Sequence, residues 1–370
     1  MDNSEFLTEY AGLPVVEFPS RTTRARDLAW ARRHAESEGL PLPDSLPEDP
    51  ALTAALADPG SVAWRLHTRP GDGCFCLGPP CRCGKVGAQT TEEYMDSFVR
   101  EVDGASVRAI TAAAVMEESF VNAPAHRDLL VEYAPHWPDL DSLFFAEYLV
   151  GDAEISWIQQ DDVTPLLDAF PRLTGFTVRG GGRLRLAGLE HSALRTLAIE
   201  SGGMSGRTVR DVASARLPAL RHLELLLGDT SYGYDATLDD LAPILSGEAF
   251  PRLRRLGLRN ASGTDGLVAA LAAAPVTATV RALDLSMGTL TDRGARVLLD
   301  TPVFHRLERL DLDHHYMSEA VQEEVRAAFT ASGVRIGVGD RQEIEELDPE
   351  DLAELDEDEL GVYLYPAVGE

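Results

Sequence analysis

One short pattern, apolar-x-x-apolar-x-apolar, constrains this chain more than any other feature. It recurs in register at Val107-Ile110-Ala112, Leu140-Leu143-Phe145, Leu173-Phe176-Val178 and Leu194-Leu197-Ile199. It continues at Leu220-Leu223-Leu225, Leu253-Leu256-Leu258, Val280-Leu283-Leu285 and Leu307-Leu310-Leu312. The starts are spaced by 33, 33, 21, 26, 33, 27 and 27 residues. Alternate residues of a strand share a face, so each copy predicts a short strand with its fourth and sixth positions on one side. Amphipathic stretches between the copies predict helices, at 163–170, 208–215, 238–245, 266–273, 293–299 and 319–329. Pairs such as Phe170-Pro171, Leu217-Pro218 and Phe250-Pro251 end a helix and turn the chain toward the next strand. A single strand-turn-helix unit buries too few apolar side chains to offset the ordering of its backbone, so the copies must stack and share their buried faces.

The pattern resembles the leucine-rich repeat in its longer, ribonuclease-inhibitor-like form, over residues 107–338. The best copy is Val280 to Leu290 (VRALDLSMGTL), which departs from the family only at the inward ninth position. That position is Gly181, Gly202, Gly228 and Gly288 in four copies and His315 in the last, so the family's asparagine ladder is largely missing. The resemblance implies an α/β leucine-rich-repeat solenoid with a parallel sheet on its concave face. Four stretches, EISWIQQDDVTP at 154–165, LAPIL at 241–245, LGLRN at 256–260 and LDLDHHYMS at 310–318, are similar to a bacterial family of leucine-rich-repeat proteins to which no activity is assigned. Members of that family are encoded beside radical-chemistry and ATP-grasp-like enzymes. The similarity implies an accessory role in a tailoring-enzyme pathway.

Outside the repeat the composition changes. Residues 1–60 carry no sustained period and contain Pro41, Pro43, Pro47 and Pro50, which predicts an N-terminal extension or linker with a short helix at 26–38. Residues 61–106 predict a cap with a cysteine-rich loop, a strand at 60–68 and a helix at 91–102. A final strand is expected at 333–338. Residues 339–370 read as an acidic, disordered tail, because 13 acidic residues against one arginine from Asp340 onward repel one another. The apolar end of that tail, 362–368 (VYLYPAV), is of a kind that docks onto a surface.

Charge narrows the partners. The 370 residues hold 61 acidic and 33 basic side chains, a net of −28. A surface that negative repels phosphate backbones and anionic lipid heads, which argues against nucleic acid and membranes as partners. No stretch reads as a signal peptide or a bilayer span, and the expected location is cytoplasmic.

Three constellations are candidates for chemistry. Cys74, Cys76, Cys81 and Cys83 fall within ten residues as two Cys-x-Cys pairs around a Gly-Pro-Pro turn. Four thiolates so placed can hold zinc, and reduced thiols or a redox pair are the alternatives. The outward third, fifth, seventh and eighth strand positions of the later copies bring up His222, Glu224, Arg255, Arg259, Asn260, Asp284, Arg309, Asp311, Asp313 and His314. Mixed charges on a rigid sheet suit a protein or peptide partner, although a solvated face accounts for the same residues. Earlier copies offer small residues there, with Glu147, Arg179 and Glu200 as exceptions. The run Asp311 to Tyr316, with Asp284 one strand away, is an acid–base or metal candidate, while His315 at the inward position is expected to bond turn backbone. Trp157 reads as a packing residue. No nucleotide-binding, zinc-protease or hydrolase motif is present. The expectation is a protein- or peptide-binding scaffold, not an enzyme. The alternative is a metal-dependent enzyme or metal-binding subunit using the Asp/His cluster or the cysteine loop.

Overall fold

The computed structural model describes residues 5–68, 89–114, 123–149, 152–344 and 361–369. They form two compact units, one of residues 1–153 with 165–175, the other of residues 154–164 with 176–370. In both, strands succeed one another across the sheet in the order in which they occur along the chain. With helices between most consecutive strands, that is the α/β leucine-rich-repeat arrangement.

The first unit carries β1 (Glu9–Tyr10), β2 (Leu13–Glu17), β3 (Ala63–Thr68), β4 (Ala109–Ala114) and β5 (Ser142–Phe145). β1 and β2 form an antiparallel hairpin, and β2 to β5 pair in parallel. The expected linker over 1–60 therefore contains a strand of the parallel sheet, which begins well before residue 107. β2 escapes the repeat pattern because LPVVE lacks the leading leucine, and its Pro14 sits near the strand start, where a missing N–H is tolerated. Helix α1 (Arg21–Ser37) starts five residues before the expected 26 because the Ser20 hydroxyl caps it, accepting from the Thr23 amide. The proline-rich stretch ends in α2 (Pro50–Ala57), which Asp49 caps with a proline in the first turn. α3 (Thr91–Glu101) opens with a reciprocal Thr90–Glu93 capping box. α4 (Ala123–Tyr133) and α5 (Thr164–Ala169, its first residue in the other unit) complete the unit. Its core is aromatic: Phe18, Trp64, Tyr94 and Phe98 interlock edge to face or tilted, and Tyr94 donates its hydroxyl to the Phe18 carbonyl.

The second unit is more regular. It carries β6 (Gly175–Arg179, its first residue in the other unit), β7 (Thr196–Glu200), β8 (His222–Gly228) and β9 (Arg255–Ala261). β10 (Ala282–Asp284), β11 (Arg309–Asp311) and β12 (Arg335–Gly337) follow. Its helices are α6 (Gly206–Ala213), α7 (Leu238–Leu245), α8 (Thr264–Ala273), α9 (Asp292–Asp300) and α10 (Glu319–Ala331). Hydroxyl side chains of Ser205, Thr237, Thr291 and Ser318 cap four of them. Fourth- and sixth-position residues are all but fully buried, including Leu197, Ile199, Leu223, Leu225, Leu256 and Leu258. The shortest repeat has no helix between β6 and β7 among the described residues. Isolated bridges at Gly182 and Arg185 stand in its place, and Gly180 adopts φ +100°.

The inward ninth position explains its glycines. Gly228 has φ +84°, and a Cβ there would collide with the Gly202 carbonyl oxygen of the neighbouring repeat. The last copy has His315, fully buried, whose Nδ1 accepts from the Met317 amide 3.2 Å away, within the turn as expected.

The tail differs from the expectation. Residues 345–360 lie outside the described residues. Residues 361–369 are ordered and pack against the second unit, with Leu364, Pro366 and Val368 buried and Tyr365 and Ala367 exposed. That alternation is the period of a half-buried extended strand, and it overrides the acidic composition just before it.

Gly188 tests the glycine argument, because it has φ +70° with nothing within 4 Å of a Cβ. Gly188→Ala is expected to lose only the left-handed backbone cost, about 1–2 kcal/mol. Gly228→Ala, which adds a collision with backbone, is expected to lose clearly more, as read by the shift in urea midpoint.

Candidate functional site

Parallel register turns equivalent positions of successive repeats into rows across the helix-free face of the second unit. Third positions align as His222, Arg255, Ala282, Arg309 and Arg335. Fifth positions align as Glu224, Gly257, Asp284, Asp311 and Gly337. Like charges directly opposite one another destabilise a sheet, and both rows contain such pairs.

The fifth row is neutralised from within. Arg259 reaches over Gly257 to place Nη1 2.5 Å from Glu224 Oε1, while its Nε lies 3.4 Å from Asp284 Oδ1 and 3.0 Å from Ser286 Oγ. The absence of a side chain at 257 makes this possible, since a Cβ there would stand 3.1 Å from Glu224 Cγ. Burial opposes the ionisation of Glu224, but the His222 ring and Arg259 outweigh it and hold its pKa below the ordinary 4.5. Burial dominates at Asp284 and raises its pKa, against Arg259 and the Ser286 hydrogen bonds. Asp311 lies over Gly337 and accepts from Arg309 Nη2 at 2.7 Å. Arg259 and these carboxylates make a fixed, internally compensated floor.

The third row is not compensated in this way. His222, Glu224, Arg255, Asp284 and Arg309 line a groove of about 780 Å³ with Arg195, Arg221, Arg254, Arg281 and Arg335. Seven arginines there face three carboxylates, Glu224, Asp284 and Glu308. Arg281 pairs with Glu308 at 3.2 Å, and Arg309 with Asp311. Arg195, Arg221, Arg254, Arg255 and Arg335 are exposed and form no ion pair among the described residues. Sequence reasoning missed the second-position residues of this set, having looked only at the third, fifth, seventh and eighth. The signal was present: Arg195, Arg221, Arg254 and Arg281 each follow the leading apolar residue of four consecutive copies.

The remaining expected residues serve other ends. Asn260 is fully buried, with its side-chain amide bonded to the backbone of Val368. Asp313 Oδ1 accepts from the Gly339 amide at 2.5 Å, and His314 Nε2 lies 3.1 Å from the Tyr365 carbonyl. Of the Asp/His candidate, Asp284 and Asp311 stay side by side in the floor, while Asp313 and His314 are taken up by turn and tail contacts. Among the described residues no group of three or more His, Cys, Asp or Glu side chains is placed to hold a metal ion. Cys74, Cys76, Cys81 and Cys83 lie outside the described residues. Trp157, expected to pack, is 69% exposed.

The polar exceptions of the earlier copies are structural. In the first unit Glu147 accepts from Arg65 at 3.1 and 3.0 Å, and both groups also bond the backbone of Leu7. In the second, Arg179 Nε meets Glu200 Oε2 at 2.7 Å, both buried, and burial raises the Glu200 pKa despite that partner. Neither pair presents charge to solvent.

No family model matches the chain, and no curated protein matches it. Among solved structures, a Bacteroides fragilis protein from a structural-genomics programme is 29% identical, with a TM-score of 0.64 over 68% of this chain and 70% of that one. An internalin from Listeria monocytogenes is 14% identical, with a TM-score of 0.29 over 78% of this chain and 64% of that one. The first shares the fold over two thirds of the chain; the second likeness is too slight to carry an argument. No helix among the described residues is long and apolar enough to cross a membrane.

Two measurements check these electrostatics. Arg179→Met or Glu200→Leu alone breaks a buried, hydrogen-bonded ion pair and is expected to cost about 3–5 kcal/mol. The double substitution should be closer to wild type than either single one in the same urea titration. Glu224, with its folded pKa depressed, contributes stability that is present above its ordinary 4.5 and lost as pH falls through the folded value. Glu224→Gln is therefore expected to be less stable at neutral pH and to lose less on going from about pH 7 to about pH 3.5. An equal acid loss in both proteins would contradict the assignment.

Proposed function

We propose that the chain is a binding scaffold whose arginine-lined groove takes a carboxylate-rich segment of a protein partner. The observation that carries this is the groove's charge, seven arginines to three carboxylates, in a chain of net −28. Arg309 and Arg335 stand directly opposite in register, as do His222 and Arg255. Bound carboxylates would relieve that repulsion, each accepting two parallel hydrogen bonds from a guanidinium. The floor beneath, Glu224–Arg259–Asp284, is already fixed, so little ordering is required on binding. Attraction inside the groove acts over about 8 Å at physiological salt, beyond which exposed charges are screened. A short acidic peptide fits within that reach. A long polyanion such as nucleic acid would meet the negative remainder of the surface. The groove floor also holds Glu224 and Asp284, which favour a ligand that brings hydrogen-bond donors, as a peptide does. Within this reading, the accessory role implied by the sequence resemblance would make the partner an enzyme of a tailoring pathway.

The test is fluorescence anisotropy of a labelled glutamate-rich peptide against the full chain. Binding is expected to weaken as salt rises. Arg221→Glu combined with Arg335→Glu, both exposed and outside any ion pair among the described residues, should weaken it by on the order of tenfold or more, equivalent to about 1.4 kcal/mol per decade. Arg252→Glu, exposed but not lining the groove, should leave it unchanged. No binding by wild type, or equal binding by the double reversal, would reject the proposal.

A further inference from the structure

The C-terminal residues 361–369 occupy a second surface of the same unit, at the carboxyl ends of the strands. The contacts repeat from one repeat to the next and are made mostly to backbone. At the β11 repeat, the Tyr316 hydroxyl donates to the Tyr365 carbonyl at 3.0 Å and accepts from its amide at 3.1 Å, and His314 Nε2 lies 3.1 Å from the same carbonyl. At the β10 repeat, the Ala367 amide donates to the Met287 carbonyl at 2.9 Å. In β9, Asn260 donates Nδ2 to the Val368 carbonyl at 2.5 Å and accepts the Val368 amide on Oδ1 at 2.8 Å.

Spacing fits this ladder. Neighbouring strands lie about 4.8 Å apart, and an extended chain advances about 3.3 Å per residue, so the three steps from Tyr365 to Val368 match the two intervals from β11 to β9. Side-chain contact is confined to one face. Val368 packs among Ile155, Leu226 and Met287, Leu364 is buried, and Tyr365 and Ala367 point away.

We infer that this strip is a recognition site for an extended peptide with apolar side chains at alternate positions, and that the chain's own tail fills it as an intramolecular ligand. Two features support exchange with a ligand in trans. The anchoring groups read main-chain amides and carbonyls, which any extended peptide offers. The fully buried Asn260 is satisfied at both side-chain atoms by a single residue, Val368, the pairing expected of a side chain that recognises one backbone position. Covalent linkage through sixteen residues, 345–360, makes the tail an intramolecular competitor, with an effective concentration on the order of millimolar. The site is separate from the arginine groove in both residues and chemistry, so either proposal can fail alone.

The experiment uses the full chain with its tail released by Leu364→Asp and Val368→Asp. The probe is a fluorescein-labelled peptide of residues 361–369 (GVYLYPAVG). The released variant is expected to bind the probe on the order of 10–100-fold more tightly than wild type, in which the tethered tail competes. Asn260→Ala in the released background should abolish binding. Tyr316→Phe, a conservative change at a half-buried position, should weaken it and serves if the asparagine variant does not fold. Equal binding by wild type and the released variant, or no effect of either substitution on probe binding, would overturn the inference.

Discussion

The interaction on which the rest depends is the burial shared between neighbouring repeats. Apolar side chains at the fourth and sixth positions of each repeat strand are buried, and no repeat could bury them alone. This sharing fixes the register, because a slip of one residue would turn every leucine to solvent. Once register is fixed, the outward residues have no freedom of placement. Whatever occupies the third position of one repeat stands beside the third position of the next. Chemistry in this protein is therefore organised as rows across the sheet.

Rows create repulsion as readily as complementarity, and the chain handles the two principal rows differently. The fifth row, with Glu224, Asp284 and Asp311, is compensated from inside by Arg259 and Arg309, and the glycines at 257 and 337 leave room for the carboxylates to lie over the neighbouring strand. Beside it, Arg195, Arg221, Arg254, Arg255 and Arg335 of the second and third positions stay exposed and without an ion pair among the described residues. The proposed binding surface is thus an internally satisfied floor beneath a rim rich in unpaired arginines. At the opposite ends of the strands, groups that would otherwise face solvent are covered by the tail.

Much of this was legible in the sequence. The eight strands fall where the repeat places them, and the six helices lie within a few residues of expectation, because burial periodicity is local information. Less local features were harder to see. β2 has no leading leucine, and its place in the sheet depends on pairing with β3, some fifty residues away. Glu147, Arg179 and Glu200 looked like outward charges, but Arg65 and the buried Arg179–Glu200 contact become apparent only when the strands are side by side. Asn260 read as a surface residue, and its burial comes from Val368, 108 positions later in the chain. Of the ten expected binding residues, five line the groove. The rest form its floor or hold the ends of turns and the tail.

If the arginine groove is the surface that meets the partner, acidic side chains are what it meets. The most direct measurement replaces Ala282, which lines the groove, with a photo-crosslinking phenylalanine derivative, and Leu238, exposed on α7, with the same group as a control. After irradiation of the full chain in its native cell extract, crosslinked peptides are identified by mass spectrometry. The Ala282 probe is expected to capture a carboxylate-rich segment of one protein, and the Leu238 probe is not. Crosslinks at Ala282 that map to segments without acidic residues, or the same captures from both positions, would contradict it.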